Sequence, residues 1–200
     1  TAMLDIASRY AVIPAEQLLD RVIEAVTGVK AAEREKQKAA AIGTAAHARI
    51  EWRTRRMLGE DAGPEPVIPE AAEWAVMAWE DWAKEVDFSP ITTERVVYCD
   101  TCGFAGTMDF FAKVRGRLTI GDYKTGKAVY PESFLQNRAY RHAAQRSEGL
   151  AAEQGVILRL PKTQEDPAFE AMSVPDTPLE DFLAALRLWR WQRRMEGKKV

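Results

Sequence analysis

The chain has 200 residues, 46% of them hydrophobic and 29% charged, which is ordinary for one soluble globular domain or one with an appended helical part. No apolar run approaches the ~20 residues that span a bilayer, and the N-terminus lacks a basic stretch followed by an apolar one, so neither a membrane anchor nor a secretory leader is expected. A net charge of −2 argues against a uniformly basic nucleic-acid coat, and two cysteines, Cys99 and Cys102, are too few for a disulfide scaffold, so a reducing, intracellular compartment is expected.

Residues 14 to 26 read as a helix, with Pro14 in its first turn, Leu18, Leu19, Val22, Ile23 and Val26 as its apolar stripe, and Gly28 as its stop. Residues 31 to 58 are rich in Ala, Glu, Lys, Arg and Gln and are strongly helical, with Gly43-Thr44 as a point where the segment could divide in two. Gly43, Ala46 and Ala48 would let this helix approach a sheet closely with His47 turned towards it, and Ile50 and Met57 are candidate anchors. Arg49, Arg53 and Arg56 share a helix face. Taken alone, His47 reads as an ordinary helix histidine. His142 is the only other one, so a mixed histidine–carboxylate site is the only metal site this chain is expected to build from imidazole. A loop from Gly59 to Pro69 leads to a helix over residues 70 to 86, with Trp74, Met77, Ala78 and Trp82 as its expected core stripe.

Ile91 to Tyr98 has strand composition. Asp100-Thr101 could be a two-residue turn, which would make residues 91–99, 102–113 and 117–124 an antiparallel meander. Cys99-x-x-Cys102 offers half of a structural zinc site, and the preferred reading is two cross-strand neighbours that happen to be cysteine. The next hairpin turns at Arg115–Gly116, between strands rich in Phe110, Phe111, Val114, Leu118 and Ile120. Counting outward, Lys113 faces Leu118, Phe111 faces Ile120 and Asp109 faces Asp122. Directly opposed carboxylates repel across a sheet, and a hard divalent cation between them reverses the sign. Lys124 shares the face of Asp122, two residues on.

Tyr130 to Ser147 reads as a helix, with Gln136 and Tyr140 four residues apart on one side. Residues 155 to 160 and 169 to 174 are expected strands of a hairpin. Asp176-Thr177-Pro178 is expected to cap a final helix to about Glu196, with Leu179, Phe182, Leu183, Leu186 and Trp189 buried. From Lys113 to Arg146 there are eight Lys/Arg against two acids, Asp122 and Glu132, a pattern that suits a polyanion delivered to a small acidic centre.

The order Gly43-Thr-Ala-Ala-His47, Gly106-Thr-Met-Asp109, Gly121-Asp122-Tyr123-Lys124-Thr-Gly126 and Gln136-x-x-x-Tyr140 resembles the RecB-type branch of the PD-(D/E)XK nuclease superfamily over residues 43 to 140. The resemblance implies an α/β fold with a mixed central β-sheet flanked by helices, a restriction-endonuclease-like core. It implies one nuclease domain over residues 1–200, with a helical part at 1–88 carrying His47 and an α/β core at 89–200. His47, Asp109, Asp122 and the backbone carbonyl of Tyr123 would ligate Mg²⁺ or Mn²⁺. Lys124 would position or deprotonate the attacking water, or stabilise the developing charge, and Gln136 and Tyr140 would orient the lysine region and the nucleic acid. Arg49, Arg53, Lys127, Arg138 and Arg141 are candidate DNA-backbone contacts. Met108 stands where the family name has a proline. The iron–sulfur cluster of many relatives needs four cysteines, so none is expected here.

The activity so implied is a metal-dependent deoxyribonuclease, an exonuclease on DNA ends or single strands in recombination, repair or replication. The protein would be cytoplasmic, bacterial or phage-encoded, and a recombinase, helicase or single-strand-binding protein is a conceivable partner. A structure-selective or restriction-type endonuclease on the same core is an alternative, as is a catalytically silent nucleic-acid-binding module. The joint presence of His47, Asp109, Asp122, Lys124, Gln136 and Tyr140 counts against the silent module, which has no need of paired acids.

Overall fold

The computed structural model describes residues 33–126, 128–162, 166 and 168–199, without the side chains of 33–39. The helix expected over 14–26 and the candidate contact Lys127 lie outside the described residues. The elements are α1 (Glu33–Met57), α2 (Glu70–Glu85), β1 (Ser89–Cys99), β2 (Phe104–Val114), β3 (Arg117–Lys124), α3 (Pro131–Glu148), β4 (Gln154–Arg159), β5 (Glu170–Ser173) and α4 (Leu179–Met195). The strands lie in chain order in one five-stranded sheet. β1, β2 and β3 form the expected antiparallel meander, β3 and β4 are parallel, and β4 and β5 are antiparallel. The parallel step requires a crossover, which α3 supplies. The fold is therefore the mixed sheet flanked by helices that the resemblance implies.

Each face of the sheet has its own core. On one, Ile50 of α1 and Ala72, Ala75, Val76, Trp79 and Trp82 of α2 pack with Phe110, Ala112, Tyr123 and Leu158. On the other, Ala139, Tyr140 and Ala143 of α3 and Phe182, Leu186 and Trp189 of α4 pack with Val97, Met108, Phe111 and Ile120. The catalytic candidates stand on β2 and β3, between these two layers.

Four local expectations are corrected. First, α1 runs unbroken through Gly43-Thr44, where the Thr44 hydroxyl donates to the Ala40 carbonyl at 3.0 Å. Gly43 is there for close approach, since a Cβ would lie 2.4 Å from Thr125 Oγ1. Second, the buried stripe of α2 is turned relative to the expected one: Trp82 is buried as expected, but Trp79 is buried beside it, whereas Trp74 is 37% and Met77 55% exposed. Trp79 and Trp82 each meet the Phe88 ring at 5.7 Å, a contact set by the following chain and not by the helical period. Met57 is also exposed and anchors nothing in the core. Third, the β1–β2 connection is a four-residue turn, Asp100 to Gly103, closed by the Cys99–Phe104 pair. Fourth, Pro178 occupies the N-cap of α4 with no side-chain cap, because the Thr177 hydroxyl donates instead to the Pro175 carbonyl at 3.0 Å.

Candidate active site

The site is built on the β2–β3 hairpin. Arg115 and Gly116 take φ values of 50° and 77°, both left-handed, which is the two-residue turn whose twist matches the flanking strands. The predicted register holds: Lys113 pairs with Leu118, Phe111 with Ile120 and Phe110 with Gly121. The next step would set Asp109 against Asp122, and there the ladder ends. The backbone N–H of Tyr123 donates to Asp109 Oδ2 at 2.5 Å in place of a strand pair. β3 continues past this point by pairing with β4, Asp122 with Ile157 and Lys124 with Arg159. The two carboxylates thus stay at one end of the hairpin while their backbones find other partners.

Asp122 is 3% exposed. Its Oδ2 lies 2.7 Å from Lys124 Nζ, which folds back along the strand. That ammonium also donates to Gln136 Oε1 at 3.0 Å, and Gln136 Nε2 donates to the Tyr140 hydroxyl at 3.1 Å. The expected lysine, glutamine and tyrosine are therefore one hydrogen-bonded chain running from β3 onto α3. α3 is close enough for this because β2 has no side chain at Gly106, where a Cβ would meet Tyr140 Cε1 at 2.5 Å. Asn137 Nδ2, donating to the Ile120 carbonyl at 3.3 Å, ties the same helix to β3.

Glu94, on the preceding strand, is the residue that the resemblance sets near the acids without making it a ligand. Thr93 pairs with Phe110 and Arg95 with Met108, so Glu94 falls opposite Asp109, and its φ of 47° is left-handed. A non-glycine residue in that region is strained, and such residues gather at functional sites. Burial first, then the charges of Asp122 and Glu94, push the Asp109 carboxyl well above the usual carboxylate range. These three acids make a strongly negative spot that only Lys124 and the Tyr123 N–H offset among the causes acting on Asp109.

The remaining candidates are placed less uniformly. The His47 ring meets the Tyr123 ring edge-on at 5.4 Å, which brings α1 to the sequence Asp122-Tyr123-Lys124. Among the described residues, the group of three or more His, Cys and acidic side chains with all ligand atoms within 4.8 Å is Cys99, Cys102 and His142. His47, Asp109 and Asp122 do not all come that close to one another. The expectation that imidazole could join only carboxylates is thereby corrected: the fold carries His142 to the two thiols, a pairing hidden from the sequence because forty residues separate it from Cys102. The four described arginines of the candidate DNA surface all have partners within the fold. Arg49 pairs with Glu65 and donates to the Pro66 carbonyl, Arg53 pairs with Glu80, Arg138 donates to the Thr177 carbonyl and Arg141 to the Ala152 carbonyl. A cavity of about 920 Å³ lies between α1 and α2, lined by Trp52, Arg53, Arg56, Trp79 and Phe88 and by none of Glu94, Asp109 and Asp122.

The crowding of acids has a measurable consequence. Asp109→Asn keeps an oxygen for the Tyr123 N–H and removes one repelling charge. In protein freed of divalent cations this variant is expected to melt about 2–4 °C higher than the parent, the equivalent of ~1 kcal/mol. The sign follows from the raised pKa. Below the ordinary carboxylate pKa, Asp109 is protonated folded or unfolded and the difference is small. As pH rises towards the folded pKa the unfolded chain ionises first, the parent loses stability, and the advantage of Asn grows. Melting curves at pH 4 and pH 8 that show the reverse trend would refute it.

A family model described as the PD-(D/E)XK nuclease superfamily matches residues 17–197 of the chain. No curated protein matches it in sequence. Among solved structures, the alkaline exonuclease LHK-Exo from Laribacter hongkongensis is similar over 96% of this chain and 92% of that one, with 14% identity and a TM-score of 0.47. The same enzyme in complex with dAMP matches over 96% of both chains, with 16% identity and a TM-score of 0.40. A candidate exonuclease from Eubacterium rectale is similar over 78% of this chain and 69% of its own, with 12% identity and a TM-score of 0.44.

Proposed function

This chain belongs to the PD-(D/E)XK nuclease superfamily, and we propose that it is a Mg²⁺- or Mn²⁺-dependent deoxyribonuclease acting as an exonuclease on DNA ends or single strands. The observation that carries the reading is the arrangement of Asp109 and Asp122 at one end of a hairpin with Lys124 held against Asp122 and Gln136. In this reading the part of the chain before residue 89 presents His47, and residues 89–200 are the nuclease core. DNA is the substrate, and no helix among the described residues is long and apolar enough to cross a membrane.

The donor set fits a hard divalent cation. Asp122 Oδ2 is buried with the Lys124 ammonium beside it and no well-aligned hydrogen bond, and Asp109 is crowded by two further acids. Carboxylate oxygen is the ligand such cations select. Asp109 and Asp122, with His47 and the Tyr123 carbonyl, would hold the ion, which when bound supplies Lewis-acid polarisation of a phosphoryl oxygen. The chain's own side chains do the rest. Lys124, ion-paired with Asp122 and donating to Gln136, is the cation that offsets the charge developing on the phosphoryl group. Gln136 holds that ammonium in place and Tyr140 holds Gln136, so neither has to reorganise during the reaction.

A digest of end-labelled linear DNA beside covalently closed circles, with Mg²⁺ and with Mn²⁺, tests the assignment. Loss of the linear form with circles intact is the expected result. Cutting of circles would instead establish an endonuclease on the same core. Binding without any cleavage in either metal would refute both enzymes and leave a silent nucleic-acid-binding module.

A further inference from the structure

A second, chemically different cluster lies where the chain enters β2, independent of the nuclease reading. Cys99 ends β1 and is 1% exposed. Asp100 to Gly103 then turn the chain back into β2. In this turn the Cys102 N–H points at Cys99 Sγ at 3.3 Å, and the Thr101 hydroxyl lies 3.3 Å from the same sulfur. Gly103, at φ 72°, donates its N–H to the Cys99 carbonyl at 2.8 Å. The backbone is thus wrapped around one sulfur and brings the second beside it. Burial and the neighbouring Cys99 push the Cys102 thiol up, so a metal entering here displaces a proton.

The third member comes from α3. His142 Nε2 stands 4.0 Å from Cys102 Sγ, and the three ligand atoms all lie within 4.8 Å of one another. Around a tetrahedral ion, with metal–sulfur and metal–nitrogen bonds of about 2.3 and 2.0 Å, neighbouring ligand atoms are about 3.5–3.8 Å apart. Only a small inward movement separates the observed cluster from that geometry. Burial, with Arg138 and Arg146 nearby, lowers the His142 pKa, which favours the neutral imidazole a metal needs. Arg190 of α4 donates to the carbonyls of Cys102 and Gly103 and fixes the turn from behind.

We propose that Cys99, Cys102 and His142 form a zinc-binding site that clamps the β1–β2 turn to α3. Two thiolates and a neutral imidazole cancel the charge of one Zn²⁺ and leave a fourth position for water. Sulfur ligands select zinc over the hard cations that suit Asp109 and Asp122, so the two sites discriminate by ligand chemistry. An iron–sulfur cluster would need four protein ligands, and three side chains gather here. Because α3 also carries Gln136 and Tyr140, the clamp would steady the helix on which the Lys124 chain depends.

The test uses the full chain with thiols kept reduced, stripped with a chelator and titrated with Zn²⁺ in the presence of excess Mg²⁺. One equivalent of zinc by elemental analysis and a raised Tm are expected. Cobalt in place of zinc should give a thiolate-to-cobalt charge-transfer band in the near ultraviolet. Cys102→Ser and His142→Ala, both at partly exposed positions, should each lose the band or weaken binding by about 100-fold or more. Asp122→Ala should retain both band and stoichiometry. Absence of zinc uptake, full affinity in His142→Ala, or loss of the band in Asp122→Ala would each overturn the assignment.

Discussion

Asp122→Ala and Lys124→Ala are each expected to lower cleavage of linear DNA by about 10³-fold or more, and to do so for different reasons. Asp122→Ala removes a buried carboxylate from the donor set, so calorimetric titration with Mn²⁺ should show weakened binding at the site. Lys124→Ala leaves the acids in place and should keep Mn²⁺ affinity within a few-fold of the parent. The two residues are in contact at 2.7 Å, so their losses should not add. A double variant no worse than either single one would show that they act as a unit. Full activity in either single variant would remove the hairpin from the chemistry.

Gly121→Ala is expected to be the most damaging small substitution in the sheet, although position 121 touches no substrate in the proposed mechanism. A Cβ there would lie 1.8 Å from Phe110 Cζ and 2.2 Å from Cε1. The Phe110 ring is fully buried and cannot withdraw: it meets Tyr123 at 5.2 Å, Phe88 at 5.3 Å and Trp82 at 6.3 Å. Overpacking of this kind costs about 3 kcal/mol, which for a chain of this size lowers Tm by about 6–12 °C. Phe110→Leu in the same background should recover part of the loss, by the coupling expected of residues in contact. An unchanged Tm in Gly121→Ala would show that the Phe110 ring does not lie over β3 as described.

The hairpin is legible in the sequence because its signals are local. Arg115–Gly116 sets a two-residue turn, and a strand period of two then fixes every pair outward to Phe110 and Gly121. The α3 pair Gln136 and Tyr140 is legible for the same reason, as four residues is one helical turn. The stripe of α2 is not, because an Ala- and Trp-rich helix offers more than one apolar face. The contact with Phe88 chooses among them. Glu94 is legible from the resemblance as a residue near the acids, but its place opposite Asp109 and its left-handed backbone come only from the β1–β2 register.

By itself, then, the sequence determined the mixed α/β class, the meander, the register of the β2–β3 hairpin out to Phe110 and Gly121, and the family, since turns, periods and motif order are written within a few residues of one another. Tertiary structure alone decided three things. It ended the β2–β3 ladder one step short of the two acids, where the Tyr123 N–H turns to the Asp109 carboxylate. It drew Lys124 back onto Asp122 and Gln136, because α3 packs at Gly106 where no side chain intervenes. And it carried His142 to Cys99 and Cys102, because the β1–β2 turn and the far end of α3 converge only once the crossover to β4 has been made.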